Sequence, residues 1–281
     1  MTGMTLVPVK MKEKNQQITD LLFRLQGIDL SKYDELFLNK ALQAKIAEKN
    51  CKSEAEYVHL LDQSEAAVTD FIHSLSISYS EFFRNSLTFS VLEKIILPSI
   101  IYKNNESSRK EIRIWSAACA SGQETYSLVM LLNECSQKEN INYRIFATDS
   151  SENQIEKAKQ GNYQPFEIGQ LTQKRLQQWF DKQNDGYFVK NELKRHVEFS
   201  NFDLLDKQYS CPPSSIFGDF DLIFCANILF YYKPEIRKKI LKKLSKSLSA
   251  NGFLVTGDTE REMLLKYGFR EVYPQSAIFR V

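Results

Sequence analysis

The sequence predicts an α/β fold in which a mostly parallel, seven-stranded sheet ends in an antiparallel C-terminal hairpin and follows a small all-helical domain. The first observation is that apolar residues between positions 14 and 76 recur only at helical spacing. The second is that short apolar runs and helical patterns alternate from Glu111 onward, as in parallel sheets covered on both faces. The third is the short Pro274-Gln275 turn between the last two apolar runs, which predicts the hairpin.

The helical domain is predicted over residues 14–76. Its first helix carries apolar residues at helical spacing and ends before Gly27. Ser53 followed by Glu56 is a capping-box pattern, which predicts the start of the third helix. Residues 77–110 are predicted to link this domain to a second one at 111–281.

The second domain is predicted from alternating elements. Strands are expected at 111–118, 143–149, 196–201, 219–225, 252–257, 268–273 and 276–281. Helices are expected at 123–136, 152–160, 234–249 and 260–266. The segment 162–195 interrupts this order with a helical pattern at 172–181, the turn signal Asn184-Asp185-Gly186 and an alternating run from Tyr187, so a small strand-turn-strand insertion is expected there.

Composition excludes several classes of protein. The 281 residues are 43% apolar and 26% charged with a net charge of +2, which gives no electrostatic case for nucleic-acid binding. No apolar run is long enough for membrane insertion, and the N-terminus has too short an apolar core for a secretory signal. Five scattered cysteines and three histidines without ligand spacing predict neither disulfides nor a metal site. These features predict a cytoplasmic globular protein.

The segment IWSAACASGQETYSL, from Ile114 to Leu128, is the most informative stretch of the chain. A strand leads into a tight turn containing Gly122, and a helix begins near Gln123. Open α/β sheets bind nucleotide-like ligands at such a place, where a helix N-terminus and a close backbone approach are available. A strand-to-helix turn that binds nothing is the alternative.

A second strand, YRIFATD, ends in Asp149. A carboxylate at this place is suited to accept hydrogen bonds from ribose hydroxyls. The alternative is that Asp149 caps the helix from Glu152, although Ser150 or Ser151 could do so as well.

Four motifs together resemble the CheR family, the chemotaxis receptor methyltransferases: SYSEFFR, IWSAACASGQETYSL, ATDSSENQIEKAKQGNY and FDLIFCANILFYY. They occur in the family's order and spacing, and the resemblance runs from about Gly27 to Val281. It implies a Rossmann-like methyltransferase sheet with a small antiparallel β-subdomain, S-adenosylmethionine as cofactor and S-adenosylhomocysteine as product. It also implies methyl transfer to glutamate side chains on chemoreceptor helices, as in chemotaxis adaptation.

The resemblance assigns roles to particular residues. Arg84 and Tyr231 are expected at the methyl acceptor, in catalytic roles. The residues expected near the cofactor are Ser78, Ser80, Arg84, Gly122, Glu124, Asp149, Asp203, Leu204, Asn227 and Ile228. Without the resemblance, Arg84 would be read as a surface charge after two buried phenylalanines, and Tyr231 as one aromatic residue in an apolar cluster.

The chain departs from the family at several positions. Ser78 stands where asparagine is usual, and Ala226 stands where arginine is usual. Ala118 replaces a glycine before Cys119, so the backbone there is expected to avoid positive φ, whereas Gly122 is expected to permit the close approach. The insertion has Gly186 alone in its loop, which argues against binding of a receptor's C-terminal pentapeptide tether.

Methylation of a carboxylate suits this set of residues. A glutamate is already ionised at neutral pH, with a pKa of about 4.3, so the reaction needs alignment rather than a general base. Arginine supplies a planar, bidentate donor for such alignment. Lys40, Lys45, Lys49 and Lys52 are candidates for docking acidic receptor helices, or form a solvated helix face. The alternatives are a methyltransferase for another acceptor and a non-catalytic cofactor-sensing module.

Overall fold

The computed structural model describes residues 9–75, 80–106, 109–136 and 141–280. The chain forms two compact units, one from residues 1–77 with Phe230–Arg237 and the other from Ser78–Leu229 with Lys238–Val281. None of the helices among the described residues is long and apolar enough to cross a membrane.

Within its described residues, the first unit contains four helices, α1 (Val9–Gln26), α2 (Glu35–Glu48), α3 (Glu54–Gln63) and α4 (Glu65–Leu75). Their apolar faces form one core with Tyr57 and Phe71 fully buried. Asp34 and Ser53 cap α2 and α3 through side-chain oxygens that accept the N–H groups of Leu36 (3.0 Å) and Glu56 (3.2 Å). The predicted helical domain and the cap at Ser53 are thereby confirmed.

The second unit begins with helices that the sequence reading missed. In the segment predicted as a linker, α5 (Ser86–Val91) leads through one π-helical turn (Leu92–Ile96) into α6 (Leu97–Glu106). Apolar residues of this stretch are buried in the main core, among them Phe89, Leu92 and Ile96. Burial of this face stabilises helices that the serine-rich composition does not favour.

The remaining elements alternate as predicted. They are β1 (Ile112–Ala117), α7 (Gln123–Ser136), β2 (Tyr143–Asp149), α8 (Glu152–Gln160), β3 (Asn162–Tyr163), α9 (Gln173–Trp179), β4 (Phe180–Gln183), β5 (Gly186–Val189), α10 (Asn191–Lys194), β6 (Val197–Asn201), β7 (Phe220–Phe224), α11 (Pro234–Ser247), β8 (Leu248–Val255), α12 (Arg261–Lys266), β9 (Arg270–Glu271) and β10 (Ile278–Arg280).

The main sheet has seven strands in the order β6-β2-β1-β7-β8-β10-β9. Its first five strands are parallel, and β10 runs antiparallel to β8 and to β9, so the predicted fold class and C-terminal hairpin are confirmed. The insertion forms a separate antiparallel sheet in the order β3-β5-β4. Because the first five strands share one direction, the loops after β1, β2, β7 and β8 meet at one edge of the sheet.

Candidate functional site

The loop after β1 has an unusual backbone. Ala118, Ala120 and Gly122 all have positive φ, at 64°, 47° and 93°. The expectation that Ala118 avoids positive φ is therefore wrong. The left-handed conformation costs a non-glycine residue about 1–2 kcal/mol. The hydrogen bond from Cys119 N–H to the Thr148 carbonyl on β2, 2.9 Å long, helps to hold this turn.

The backbone at Gly122 makes a close approach, and the neighbours that it approaches are other residues of the protein. A Cβ at this position would lie 2.9 Å from the Ala158 Cβ in α8 and 3.2 Å from the Tyr163 hydroxyl in β3. The Tyr163 hydroxyl donates to the Ser121 carbonyl at 2.7 Å. Gly122 is thus required for a positive φ and for packing of the loop on α8 and the insertion.

Asp149 holds the two neighbouring loops together. Its Oδ2 accepts the Ala120 N–H at 3.0 Å, and its Oδ1 accepts the Ser151 N–H at 2.9 Å. Ser151, and not Asp149, occupies the N-cap position of α8. Burial raises the pKa of Asp149, although these hydrogen bonds lower it. The structure therefore brings Asp149 to the loop that contains Gly122.

Glu124 lies in the first turn of α7, as predicted, and faces β1. The Ser116 hydroxyl donates to its Oε1 at 2.7 Å, and the Thr125 hydroxyl donates to Ser116 at 3.0 Å. Burial raises the pKa of Glu124 to about 8. The charges of Glu260 and Asp149 raise it as well, whereas the Ser116 hydrogen bond and the positive charge of Arg84 lower it.

In the segment before α5, Arg84 is exposed to solvent and the two residues before it are held by contacts with the rest of the unit. Phe82 is fully buried, with its ring 4.9 Å from that of Tyr163. The Phe83 N–H donates to the Ser127 hydroxyl in α7 at 3.1 Å. Arg84 lies close enough to Glu124 to act on its charge. Ser80 is partly buried, and Ser78 lies outside the described residues.

The loop after β7 depends on a residue that the sequence reading missed. Glu260 is fully buried, and its carboxylate accepts the N–H groups of Asn227 (2.9 Å), Leu229 (2.6 Å) and Gly257 (2.9 Å). The N–H of Ile228 also bonds to it. The signal in the sequence was an acid three residues after Gly257, which was read as the start of the last helix. That helix begins instead at Arg261.

Asp203 and Leu204 follow β6. Leu204 is buried, whereas Asp203 is exposed and its Oδ1 accepts the Leu205 N–H at 2.8 Å. The Phe202 N–H donates to the Asp149 carbonyl at 3.0 Å, which ties this segment to the end of β2. A role for Asp203 near adenine stays a prediction.

Tyr231 belongs to the first unit. Its ring lies 4.8 Å from that of Phe37, and its carbonyl accepts the Asp34 N–H at 2.8 Å. These contacts give Tyr231 a packing role in that unit, and its catalytic role stays a prediction.

The predicted lysine group divides into buried and exposed members. Lys45 is buried, with Nζ 2.9 Å from Asp70 and 2.8 Å from Glu48, and these partners raise its pKa. Lys49 also pairs with Asp70, at 2.9 Å. The prediction that Lys45 belongs to a docking face is therefore wrong, because its charge is neutralised inside the unit. Lys40, Lys49 and Lys52 are exposed.

The chemistry of this strand edge suits a cationic cofactor that also carries sugar hydroxyls. Three acids at this edge, Glu124, Asp149 and Glu260, all have raised pKa values because each is desolvated, and a bound cation would favour their ionised forms. The thiols of Cys119 and Cys225 are buried, which raises their pKa far above the ordinary value and makes them poor nucleophiles. The residues at this edge therefore fit S-adenosylmethionine.

Known proteins agree with this chemistry. Residues 78–274 match the model of the CheR methyltransferase SAM-binding domain, and residues 14–76 match that of the CheR methyltransferase all-alpha domain. A chemotaxis protein methyltransferase of Borreliella burgdorferi is 31% identical over 89% of this chain and 88% of its own length. Chemotaxis protein methyltransferase 1 of Pseudomonas aeruginosa is 32% identical over 83% of this chain and 85% of its own length. The chain therefore belongs to the CheR methyltransferase family, and its cofactor is S-adenosylmethionine.

Proposed function

We propose that the chain transfers the methyl group of S-adenosylmethionine to glutamate side chains of a chemoreceptor and forms methyl esters. The observation that carries this proposal is the position of Arg84. Arg84 is exposed, it stands two residues after the fully buried Phe82, and its charge acts on Glu124 at the edge of the sheet. A planar cation so placed is suited to hold an incoming carboxylate. The chemotaxis methyltransferases similar to this chain support the choice of acceptor.

The cofactor would be held by residues at the carboxyl ends of the parallel strands. Asp149 has a lone pair left after its backbone hydrogen bonds to Ala120, Ser150 and Ser151, and it would accept from ribose hydroxyls. The cationic cofactor would favour the ionised form of Glu124, and the two opposite charges would then attract each other. Further contacts are proposed for Ser78, Ser80, Asp203, Leu204, Asn227 and Ile228. When bound, the cofactor supplies a methyl group that its sulfonium already activates.

The protein's task is then alignment and exclusion of water. The acceptor carboxylate is ionised at neutral pH and needs no general base. Arg84 would fix both of its oxygens, so that one of them faces the methyl carbon. Tyr231 is proposed to line the acceptor side of the reaction. Neither buried thiol has a part in this chemistry.

The proposed partner is a helical, acidic receptor segment in the cytoplasm. Of the three exposed lysines, Lys40, Lys49 and Lys52, we propose that Lys40 and Lys52 contact it, because Lys49 is paired with Asp70. Binding of a receptor pentapeptide tether is not proposed, because the β4–β5 connection is a tight turn. Gly186, the only glycine there, is used in packing: a Cβ on it would lie 2.6 Å from Asn162 Oδ1. No role with nucleic acid or in membrane insertion is proposed.

The test is Arg84→Lys, which keeps the charge and loses the planar fork. Labelled methyl transfer to receptor-containing membranes should fall about 100-fold, the effect of losing a charge-assisted bidentate contact of about 3 kcal/mol. The transferred label should be released by base, as expected of a methyl ester. Arg270→Lys, a change at an exposed arginine of β9, is the matched control and should be silent.

A second measurement asks what Arg84 recognises. Wild type should bind a receptor peptide with glutamate at the acceptor position better than one with glutamine, and Arg84→Lys should lose most of this preference. If both proteins discriminate equally, another residue reads the carboxylate. If base does not release the label, the acceptor is not a carboxylate.

A further inference from the structure

Glu260 lies between two loops at the cofactor edge of the sheet. It follows β8, yet it accepts N–H groups of three successive residues after β7, Asn227, Ile228 and Leu229, and one from Gly257 on its own side. All four partners are donors, so the arrangement suits an ionised carboxylate. A buried carboxylate bound in this way fixes the backbone of both loops relative to each other.

The same two loops also interlock through a side chain. A Cβ on Gly257 would lie 2.5 Å from Asn227 Nδ2 and 3.1 Å from the Asn227 backbone nitrogen. Asn227 itself has φ of 62°, a conformation that asparagine tolerates better than most residues. Glu260 therefore holds the Asn227 backbone, and the missing side chain at position 257 leaves the space that the Asn227 amide occupies.

Glu260 also acts across the site by its charge. The charged groups that act on Glu124 come from three other elements: Glu260 after β8, Asp149 at the end of β2, and Arg84 before α5. The Ser116 hydroxyl of β1 donates to Glu124, and the charge of Glu124 raises the pKa of Cys119 and of Cys225. Of the two acids that raise the pKa of Glu124, Glu260 has the larger effect.

We propose that Glu260 is a positioning residue of the cofactor site, which fixes the Asn227 side chain through the backbone of Asn227–Leu229 and holds a carboxylate at this edge of the sheet. It acts through Asn227 and through its charge, and it is not itself placed against the cofactor. The proposal concerns the cofactor alone and is independent of which acceptor is methylated.

The first test is Glu260→Gln, which keeps the size and removes the charge. The amide would turn one donor towards a backbone N–H, because the two carboxylate oxygens together accept from all of the partners. Affinity for S-adenosylmethionine, measured by calorimetry, should fall about 10- to 100-fold, as for loss of hydrogen bonds to a charged group. Glu262→Gln, a change at an exposed carboxylate two residues away, is the matched control and should leave the affinity unchanged.

The pH profile separates the charge from the scaffold. In wild type, affinity for the cationic cofactor should rise with pH as Glu124 ionises. In Glu260→Gln the midpoint of that rise should move to lower pH, because a neighbouring negative charge is gone. A merely structural role would lower the affinity equally at every pH. An unmoved midpoint, or an affinity equal to that of wild type, would overturn the proposal.

A second set of variants leaves the charge in place and also serves if Glu260→Gln does not fold. Gly257→Ala should weaken cofactor binding without moving the pH midpoint, because it displaces Asn227 and leaves the charge of Glu260 in place. Asn227→Gly keeps the positive φ and removes the side chain that makes the shortest contact, so Gly257→Ala should have a clearly smaller effect in this background. Equal effects of Gly257→Ala with and without Asn227 would show that the loops are not coupled in the way proposed.

Discussion

The guanidinium of Arg175 lies over the ring of Phe83, with Cζ 4.3 Å from the ring centroid. Arg175 belongs to α9 of the insertion, and its Nε and Nη2 bind both oxygens of Glu134 in α7 at 2.9 and 2.7 Å. Its Nη2 also lies 3.4 Å from Glu93 in the π-helical turn. The Arg175 side chain thus joins the insertion to α7, the helix that follows the Gly122 loop, and to Phe83, the residue before Arg84.

Arg175→Lys should lower methyl transfer more than it lowers cofactor affinity, because it loosens the segment that carries Arg84 and leaves the strand edge intact. Loss of the stacked, bidentate arrangement should reduce the free energy of unfolding by about 1–2 kcal/mol. Steady-state kinetics and chemical denaturation measure the two effects. Arg24→Lys, at a pair of exposed side chains in the first unit, should change neither. If Arg175→Lys transfers methyl groups at the wild-type rate, the contact of Arg175 with Phe83 does not position Arg84 for the reaction.

Asp149→Ala should weaken both S-adenosylmethionine and S-adenosylhomocysteine by about 10- to 100-fold, since both ligands carry the ribose. It should also lower the melting temperature, because the N–H groups of Ala120 and Ser151 lose their acceptor. Calorimetry and thermal unfolding without ligand measure the two effects separately. An unchanged affinity would remove Asp149 from the ribose site even if stability falls.

The pH dependence of stability should reflect Glu124. Its pKa of about 8 in the folded protein exceeds the ordinary value of 4.5, so its contribution to stability is fully present below pH 4.5 and is lost as pH rises through 8. Thermal unfolding without ligand should therefore show a decline over this range that Glu124→Gln reduces. The affinity for S-adenosylmethionine should rise over the same range more steeply than that for the uncharged thioether product. Parallel curves for the two ligands would contradict this role of Glu124.

Gly122→Ala and Ala118→Gly should have opposite effects on stability. The first places a methyl group 2.9 Å from the Ala158 Cβ at a φ of 93°, and should destabilise the protein by about 1–3 kcal/mol. The second relieves an alanine at a φ of 64° and should be neutral or slightly stabilising. Urea denaturation of the two variants provides the comparison. Destabilisation by Ala118→Gly would mean that its methyl group makes contacts worth more than the strain.

Charge reversal at Lys40 and Lys52 should raise the KM for receptor and weaken its dependence on salt, without affecting cofactor affinity. Lys45→Glu should instead destabilise the first unit, because it would bring a third acid to Glu48 and Asp70. Kinetics at low salt and thermal unfolding distinguish the two cases. Normal methylation by the double variant at low salt would exclude this face as the docking surface.

The sequence predicted α7 and α8 with the bounds that the structure shows, 123–136 and 152–160. Their apolar spacing and end signals are local, and the folded protein keeps the same helix bounds. The helices at 86–106 were missed because serine, asparagine and lysine hide the pattern of Phe89, Leu92 and Ile96. Tertiary burial decides their structure, and no local signal reports it.

The site residues also differ in whether a local sequence signal or a tertiary contact determines their role. Residues at strand ends, such as Asp149 and Asn227, could be found because their place in a βαβ pattern indicates an edge. Glu260 could not, because its bonds reach a loop 33 residues earlier in the chain and its local context explains an acid equally well. The backbone at Ala118 was predicted from residue type, whereas its conformation follows from the bond of Cys119 to β2.

The bond from Tyr163 to Ser121 has a consequence for how this family can change in length. Tyr163 stands on β3, at one side of the small sheet, and the β4–β5 turn stands at the far end of the hairpin that completes it. A deletion or insertion near β3 would displace Tyr163, which packs against Gly122, and would therefore change the backbone of the loop after β1. Extra residues between Gln183 and Gly186 would lengthen only the hairpin. Evolutionary variation in the insertion should therefore accumulate at that turn, where new partner preferences can arise while the cofactor loop is inherited unchanged.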